Sequence, residues 1–186
     1  MTQIRAAAPA PAIRSPLPEA VMADLRTDHA GETGAVWIYR GMLAVSRDAG
    51  LRAFAERHLA TESEHLARME ELVPPAARSR LIPIWRVAGW VTGALPALVG
   101  PAMAYATVAA VETFVDRHYA DQIARARAAD PALADLLIRL QADEVHHRDE
   151  AASAAHLTGV AGAIARIWGR IVETGSELAV AAARRI

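Results

Sequence analysis

Glu62-Ser63-Glu64-His65 and Glu144-Val145-His146-His147 are the two stretches on which the reading of the fold turns. Each has the form Glu-x-x-His. Residues three apart share one face of an α-helix, so each pair can present a carboxylate and an imidazole to the same point. One such motif arises readily by chance on a helix surface. Two of them, each expected to run antiparallel to a helix carrying another glutamate, are far more specific.

Those other glutamates are Glu32 and Glu112. Glu32 and Glu62 have their midpoint at residue 47, beside Asp48-Ala49-Gly50, which reads as a turn. Glu112 and Glu144 have theirs at residue 128, beside Asp130-Pro131. Each glutamate is therefore level with its partner across a helical hairpin. At a rise of about 1.5 Å per residue, both pairs lie roughly 24 Å from their turns, and two such hairpins bring six donors to one depth. One Glu from each of two helices and Glu-x-x-His from each of two others is the ligand pattern of ferritin-like di-metal bundles. Glu112 also follows the uncharged run 104–111, where a lone carboxylate would carry a large desolvation cost unless paired or metal-bound.

Helical periodicity covers the chain around these points. The expected helices are Pro18 to about Ser46, Leu51–Leu72, Ala102–Ala129, Ala132–Leu157 and Val160–Ala183. Between Pro83 and Pro101 the chain is apolar and broken by glycine and proline. No strand signal is present. The expectation is all-α: a ferritin-like four-helix bundle with additional membrane-facing and C-terminal helices. Residues 1–17 are read as a disordered tail, with a transit peptide as the alternative, and 18–186 as the bundle domain.

Composition agrees. The chain has 186 residues, 53% hydrophobic and 22% charged, which suits one globular domain. Its net charge of −1 lacks the basic footprint of a nucleic-acid binder, so no nucleic-acid partner is expected. There is no cysteine, which excludes disulfides, thiolate zinc sites and iron–sulfur clusters. A metal must then bind through carboxylate and imidazole, a set suited to iron or manganese.

Other side chains are assigned lesser parts. His29, His58 and His146 are read as core or surface histidines. Asp143 either holds the second N–H of His65 across the bundle or is a solvated helix charge. Tyr119, seven residues after Glu112, either satisfies a core hydrogen bond or, with His118, relays protons or electrons to the metals.

Asp28-His29-Ala30-Gly31-Glu32, Glu62-x-x-His65-Leu66, Ala110-Val111-Glu112, His118-Tyr119-x-x-Gln122-Ile123 and Asp143-Glu144-x-x-His147 together resemble the demethoxyubiquinone hydroxylases, di-iron monooxygenases of ubiquinone biosynthesis. The match runs from about Ala20 to the C-terminus. It departs at Thr33, where many members carry an aromatic residue, which bears on local packing and substrate fit. The resemblance implies two iron ions held by Glu32, Glu62, His65, Glu112, Glu144 and His147, with Glu62 and Glu144 bridging. It further implies O2, a polyprenylated quinone substrate hydroxylated on its ring, and an external electron donor. A rubrerythrin- or ferritin-like protein handling iron or peroxide would use the same six donors and is the alternative.

Residues 87–111 carry no charged side chain. Glycine and proline interrupt the stretch, and its end must deliver Glu112 to the core, so it is expected to lie on a membrane rather than cross it. Trp85 and Trp90 would sit at the headgroups, with Arg78, Arg80 and Arg86 beside acidic lipids. The other reading is a buried helix pair. The expected location is the cytoplasmic face of the inner membrane, as a peripheral protein. Gly89-x-x-x-Gly93 allows close helix contact and suggests a homo-oligomer; a quinone-synthesis complex is the other assembly expected.

Overall fold

The computed structural model describes residues 16–186; the expected tail over residues 1–17 therefore lies almost wholly outside the described residues. Six helices follow in order: α1 Glu19–Val45, α2 Ala49–Leu72, α3 Ile82–Val99, α4 Pro101–Ala129, α5 Pro131–Ala154 and α6 Gly159–Ala183. No strand occurs among the described residues. The architecture is the all-α ferritin-like bundle.

Local chemistry sets the boundaries. Asp48 caps α2, its Oδ1 accepting from the Leu51 N–H at 2.8 Å. The expected turn at Asp48-Ala49-Gly50 is thus shorter than its sequence suggests, and Ala49 and Gly50 form the first turn of α2. Asp130 caps α5 in the same way, through the Ala132 N–H at 2.8 Å, with Pro131 in the first turn. Helix α5 ends at Ala154, three residues before the expected Leu157, and Gly159 starts α6 with a φ of 58°.

The segment expected to be broken between Pro83 and Pro101 is one continuous helix. Pro96 falls in its last turn, where it removes one bond of the ladder, that to the Thr92 carbonyl, close to the helix end. The glycines are contact points. A Cβ on Gly89 would collide with the Gly34 carbonyl oxygen, and one on Gly93 with that of Ile38. Gly41 of α1 meets the Trp90 carbonyl likewise. The Gly-x-x-x-Gly face is therefore used inside the chain, to seat α3 on α1, and leaves no such face for a homo-oligomer. Trp85 is half-buried, with one edge of its ring against Gly34, whereas Trp90 is exposed. The opposite face is bare: Ile84, Val87, Val91, Leu95 and Leu98 are all exposed. Helix α3 is thus neither a buried helix pair nor a free-lying segment, but half of each.

Helices α1 and α2 form one hairpin and α4 and α5 the other, while α3 lies along α1 and α6 along α4. Two apolar plugs fill the bundle. Leu25, Met69, Leu133 and Leu137 belong to one, and Met42, Leu51, Phe54 and Val108 to the other. Fully burying each such side chain is worth about 1.5–3 kcal/mol. In α1, α2, α4 and α5 alike, the glutamate of interest falls between the residues of the two plugs, so packing holds all four at one level.

Gly93→Ala should lower stability by about 1–3 kcal/mol, because the new methyl meets backbone that cannot yield. Gly175→Ala, which meets nothing within 4 Å, should instead gain roughly 0.5–1 kcal/mol. Urea unfolding followed by circular dichroism compares the two; equal midpoints would show that α3 is not seated by its glycines.

Candidate metal centre

All six donors singled out in the sequence are buried, none exposed by more than 4%. They fall into two groups. Glu32, Glu62, His65 and Glu144 offer one atom each within 4.8 Å of one another, and so do Glu62, Glu112, Glu144 and His147. Glu62 and Glu144 belong to both groups and stand between them.

The imidazoles are oriented. His65 Nδ1 lies 2.9 Å from Glu144 Oε1 and 3.7 Å from Glu32 Oε2, facing the centre. Its other nitrogen, Nε2, is 3.2 Å from Asp143 Oδ2. The structure thus gives Asp143 the outer-nitrogen contact that turns His65 inward. His147 Nδ1 lies 2.9 Å from Glu62 Oε1 and 3.2 Å from Glu144 Oε2. Tyr119 donates its hydroxyl to Glu32 Oε1 at 2.6 Å. His118 does not reach the centre; its Nε2 lies 3.2 Å from Asp28 Oδ1.

Burial drives the electrostatics. Desolvation raises the Glu32 and Glu112 carboxyls well above the usual range and raises Glu62 as well, with the neighbouring glutamates adding to it. For Glu144 burial acts upward too, but the His147 and His65 imidazoles beside it outweigh it and bring the group to about 2. Burial lowers both histidines, yet the carboxylates overcome it, taking His147 to about 9 and His65 to about 12.

The donor set fits a pair of cations. Glu32 Oε2, both oxygens of Glu62, Glu144 Oε2 and His147 Nδ1 are buried and make no aligned hydrogen bond, even though His147 Nδ1 stands close to Glu62 Oε1 and Glu144 Oε2. Buried polar atoms are normally satisfied, so five such atoms converging on one point mark lone pairs shaped for something other than protein. Two divalent cations would balance four carboxylates while leaving both imidazoles neutral.

The remaining histidines are placed as the sequence suggested. His29 is buried away from both groups, with neither ring nitrogen partnered. His58 pairs with Glu150 at 3.0 Å and sets its ring edge-on to His147, with centroids 4.1 Å apart. His146 also joins neither group. Thr33 is buried and returns its hydroxyl to the His29 carbonyl at 2.8 Å. Sequence reasoning missed Tyr39, fully buried and stacked on His58. It lies seven residues after Glu32, as Tyr119 does after Glu112, so the same arithmetic would have found it.

A cavity of about 420 Å³ reaches the centre from the side. Gly31, Ile38, Trp85, Ala88, Phe114 and Val172 are among its walls, and Glu32, Glu62, Glu112 and Glu144 lie at its inner end. Helices α3 and α6 frame it, with Ile84 and Ile171 both in the wall and exposed at the surface.

An all-helical bundle with a buried carboxylate–imidazole centre and a lateral apolar cavity defines a ferritin-like protein with a candidate dinuclear site. The family described as ubiquinone biosynthesis protein COQ7 matches residues 19–183, and the chain belongs to that family. A Caenorhabditis elegans relative, the mitochondrial NADPH-dependent 3-demethoxyubiquinone 3-hydroxylase, is 35% identical over 171 residues, covering 87% of this chain and 88% of its own. The 3-demethoxyubiquinol 3-hydroxylase of Rhodospirillum rubrum is 41% identical over 128 residues, covering 67% and 60%. That of Variovorax paradoxus is 32% identical over 156 residues, covering 81% and 74%.

Asp143→Asn should weaken metal binding about 10–100-fold with helicity unchanged, because His65 would lose the carboxylate that orients it. Competition against a chelator reads this. Unaltered affinity would make Asp143 a surface charge and no more.

Proposed function

We propose that the protein is a 3-demethoxyubiquinol 3-hydroxylase whose Glu32, Glu62, His65, Glu112, Glu144 and His147 hold two irons, with Glu62 and Glu144 between them. The observation that carries this is the pair of donor groups sharing Glu62 and Glu144. Family membership supports the reaction: the relatives described above are named as hydroxylases of this ring. None of them is named for iron storage or peroxide handling.

The bound irons would supply the activation of O2. One oxygen atom enters the ring, the other leaves as water, and two electrons come from a donor outside the chain. An NADPH-linked donor is consistent with the name of the Caenorhabditis elegans relative. The carboxylates suit this work because a carboxylate can bind through one oxygen or two as the charge beside it changes. Asp143 keeps His65 turned inward. Tyr119 keeps its hydroxyl hydrogen pointed at Glu32 Oε1, from where a proton can be passed to or taken from the centre. The apolar cavity admits the ring and excludes water from it.

The route of the substrate follows from the surface. Helix α3 shows Ile84, Val87, Val91, Leu95 and Leu98 outward, and α6 shows Val160, Ile164, Ile167, Ile171 and Leu178. Both stripes repeat every three to four residues or a multiple of that spacing, and the cavity lies between the helices. These stripes rest on the membrane in this reading, at its cytoplasmic face, so that a polyprenyl tail stays in lipid while the ring enters. Helix α3 is long and apolar enough to cross a bilayer, with mean hydropathy 1.3, but its glycine face is seated on α1.

A strain lacking the gene should accumulate demethoxyubiquinone, restored by the wild-type chain but not by Glu112→Ala, whose helices remain formed. Restoration by Glu112→Ala would remove that residue from the site. Purified protein should float with anionic vesicles, and Val87→Glu with Ile167→Glu should abolish flotation without changing metal content. Undiminished flotation would mean that the stripes do not meet lipid.

A further inference from the structure

Nine of the chain's eleven glycines have a local reason to lack a side chain. Either a neighbouring atom stands against the place of a Cβ, or φ is positive, as at Gly100 and Gly159 with 149° and 58°. Gly31 and Gly175 have neither. Both lie in helix interiors, in α1 and α6, and a Cβ on either would meet nothing within 4 Å. Glycine at such a position costs stability relative to alanine, because it has more backbone freedom to lose. Both line the cavity that reaches the metal centre.

The two positions share a depth. Arg184, just past α6, pairs with Asp24 near the start of α1, while Ile38 and Val172 belong to one apolar plug, so the two helices run antiparallel. Seven residues on from Asp24 and nine back from Arg184, Gly31 and Gly175 come within about one helical turn of the same level. Gly31 adjoins Glu32, so this is the level of the centre, where Glu32 Oε2 and both Glu62 oxygens make no aligned hydrogen bond. Two walls of the cavity are thus cut back where a reacting ring would lie. At about 420 Å³ the cavity is near the lower end of small-molecule pockets, roughly 300–1,000 Å³, so a single added methyl group is felt.

We propose that Gly31 and Gly175 set the width of the cavity at the depth of the metals, leaving room for the methoxy and methyl groups of a substituted ring. The inference rests on the hydroxylase reading and names the residues that decide which ring fits. Packing gives neither position a cause to be glycine, and helix stability favours alanine at both. Space is what each supplies. A methyl group at either position would press on the substituents of a full-size ring, and overpacking a closed site is costly. A ring with hydrogen in place of both groups would still fit. Alanine therefore stabilises the fold while weakening substrate, two effects of opposite sign that a purely structural role would not produce.

The test compares two short-tailed hydroquinones, one bearing the methoxy and methyl groups of demethoxyubiquinol and one with hydrogen at both positions. Affinities are measured anaerobically on protein loaded with redox-inert zinc, with metal content and urea unfolding measured alongside. Gly31→Ala and Gly175→Ala should each weaken the substituted ring roughly tenfold or more and the unsubstituted ring less than about threefold. Both variants should keep the wild-type metal content and unfold at higher urea than wild type. Undiminished affinity for the substituted ring in either variant, an equal loss for both rings, or a fall in stability or metal content overturns the proposal. Iron-loaded wild type given O2 and a reductant separates the two levels. Wild-type turnover of the substituted ring, with affinities unmoved in the variants, overturns this inference alone. Neither binding nor turnover of that ring by wild type overturns the hydroxylase reading with it.

Discussion

Glu32, Glu62, Glu112 and Glu144 bring four carboxyl groups into a core closed above and below by leucine, methionine and phenylalanine. Moving one carboxylate from water to such a place costs several kcal/mol even after relaxation, and four together repel one another besides. Two imidazoles beside them relieve part of this, as the low value of about 2 at Glu144 records. The orphaned oxygens of Glu62 record what is left over. Protons on the raised Glu32, Glu62 and Glu112 carboxyls relieve part of that remainder, and in the proposed function two cations would take their place; the architecture around the cluster fits that role. The two plugs hold the glutamates level, Tyr119 donates to Glu32, and Asp143 turns His65 inward.

The same constraint shapes the approach to the centre. A charged cluster open to water would have its field screened, and a ring with a long apolar tail would have no dry path to it. The chain answers with two helices outside the four-helix core. Helix α3 comes within backbone contact of α1 because Gly34, Gly41, Gly89 and Gly93 carry no side chain at the crossing. Helix α6 is tied at its end, where Arg184 pairs with buried Asp24 and the Arg80 N–H donates to the Ile186 carbonyl at 3.1 Å. Between them remains the cavity, with an apolar stripe on either side of its mouth.

Much of this was legible in the sequence where the code is local or repeated. The two Glu-x-x-His motifs, the matched midpoints and the Asp-Pro helix start at residue 130 all report short-range geometry, and they placed four helices and brought six donors to one depth. What depended on a partner was harder to read. Gly89 and Gly93 look like breakers in one strand of text, but their role is set by the α1 backbone more than fifty residues away. Trp85 reads as an interfacial anchor, and the room that Gly34 makes for one edge of its ring is not visible in the text. The Asp28, Thr27 and His118 contacts join α1 to α4 across about ninety residues, with no spacing rule to announce them. Tyr39 was within reach of the arithmetic and went unfound because its residue type has a common core role.

The claim beneath all of this is that one buried cluster holds two metal ions through six side chains. Anomalous diffraction at the iron edge from iron-loaded crystals addresses it most directly. The account predicts two peaks per chain between the helices, one among Glu32, Glu62, His65 and Glu144 and the other among Glu62, Glu112, Glu144 and His147. A single peak at full loading, or iron bound away from these residues, would contradict it.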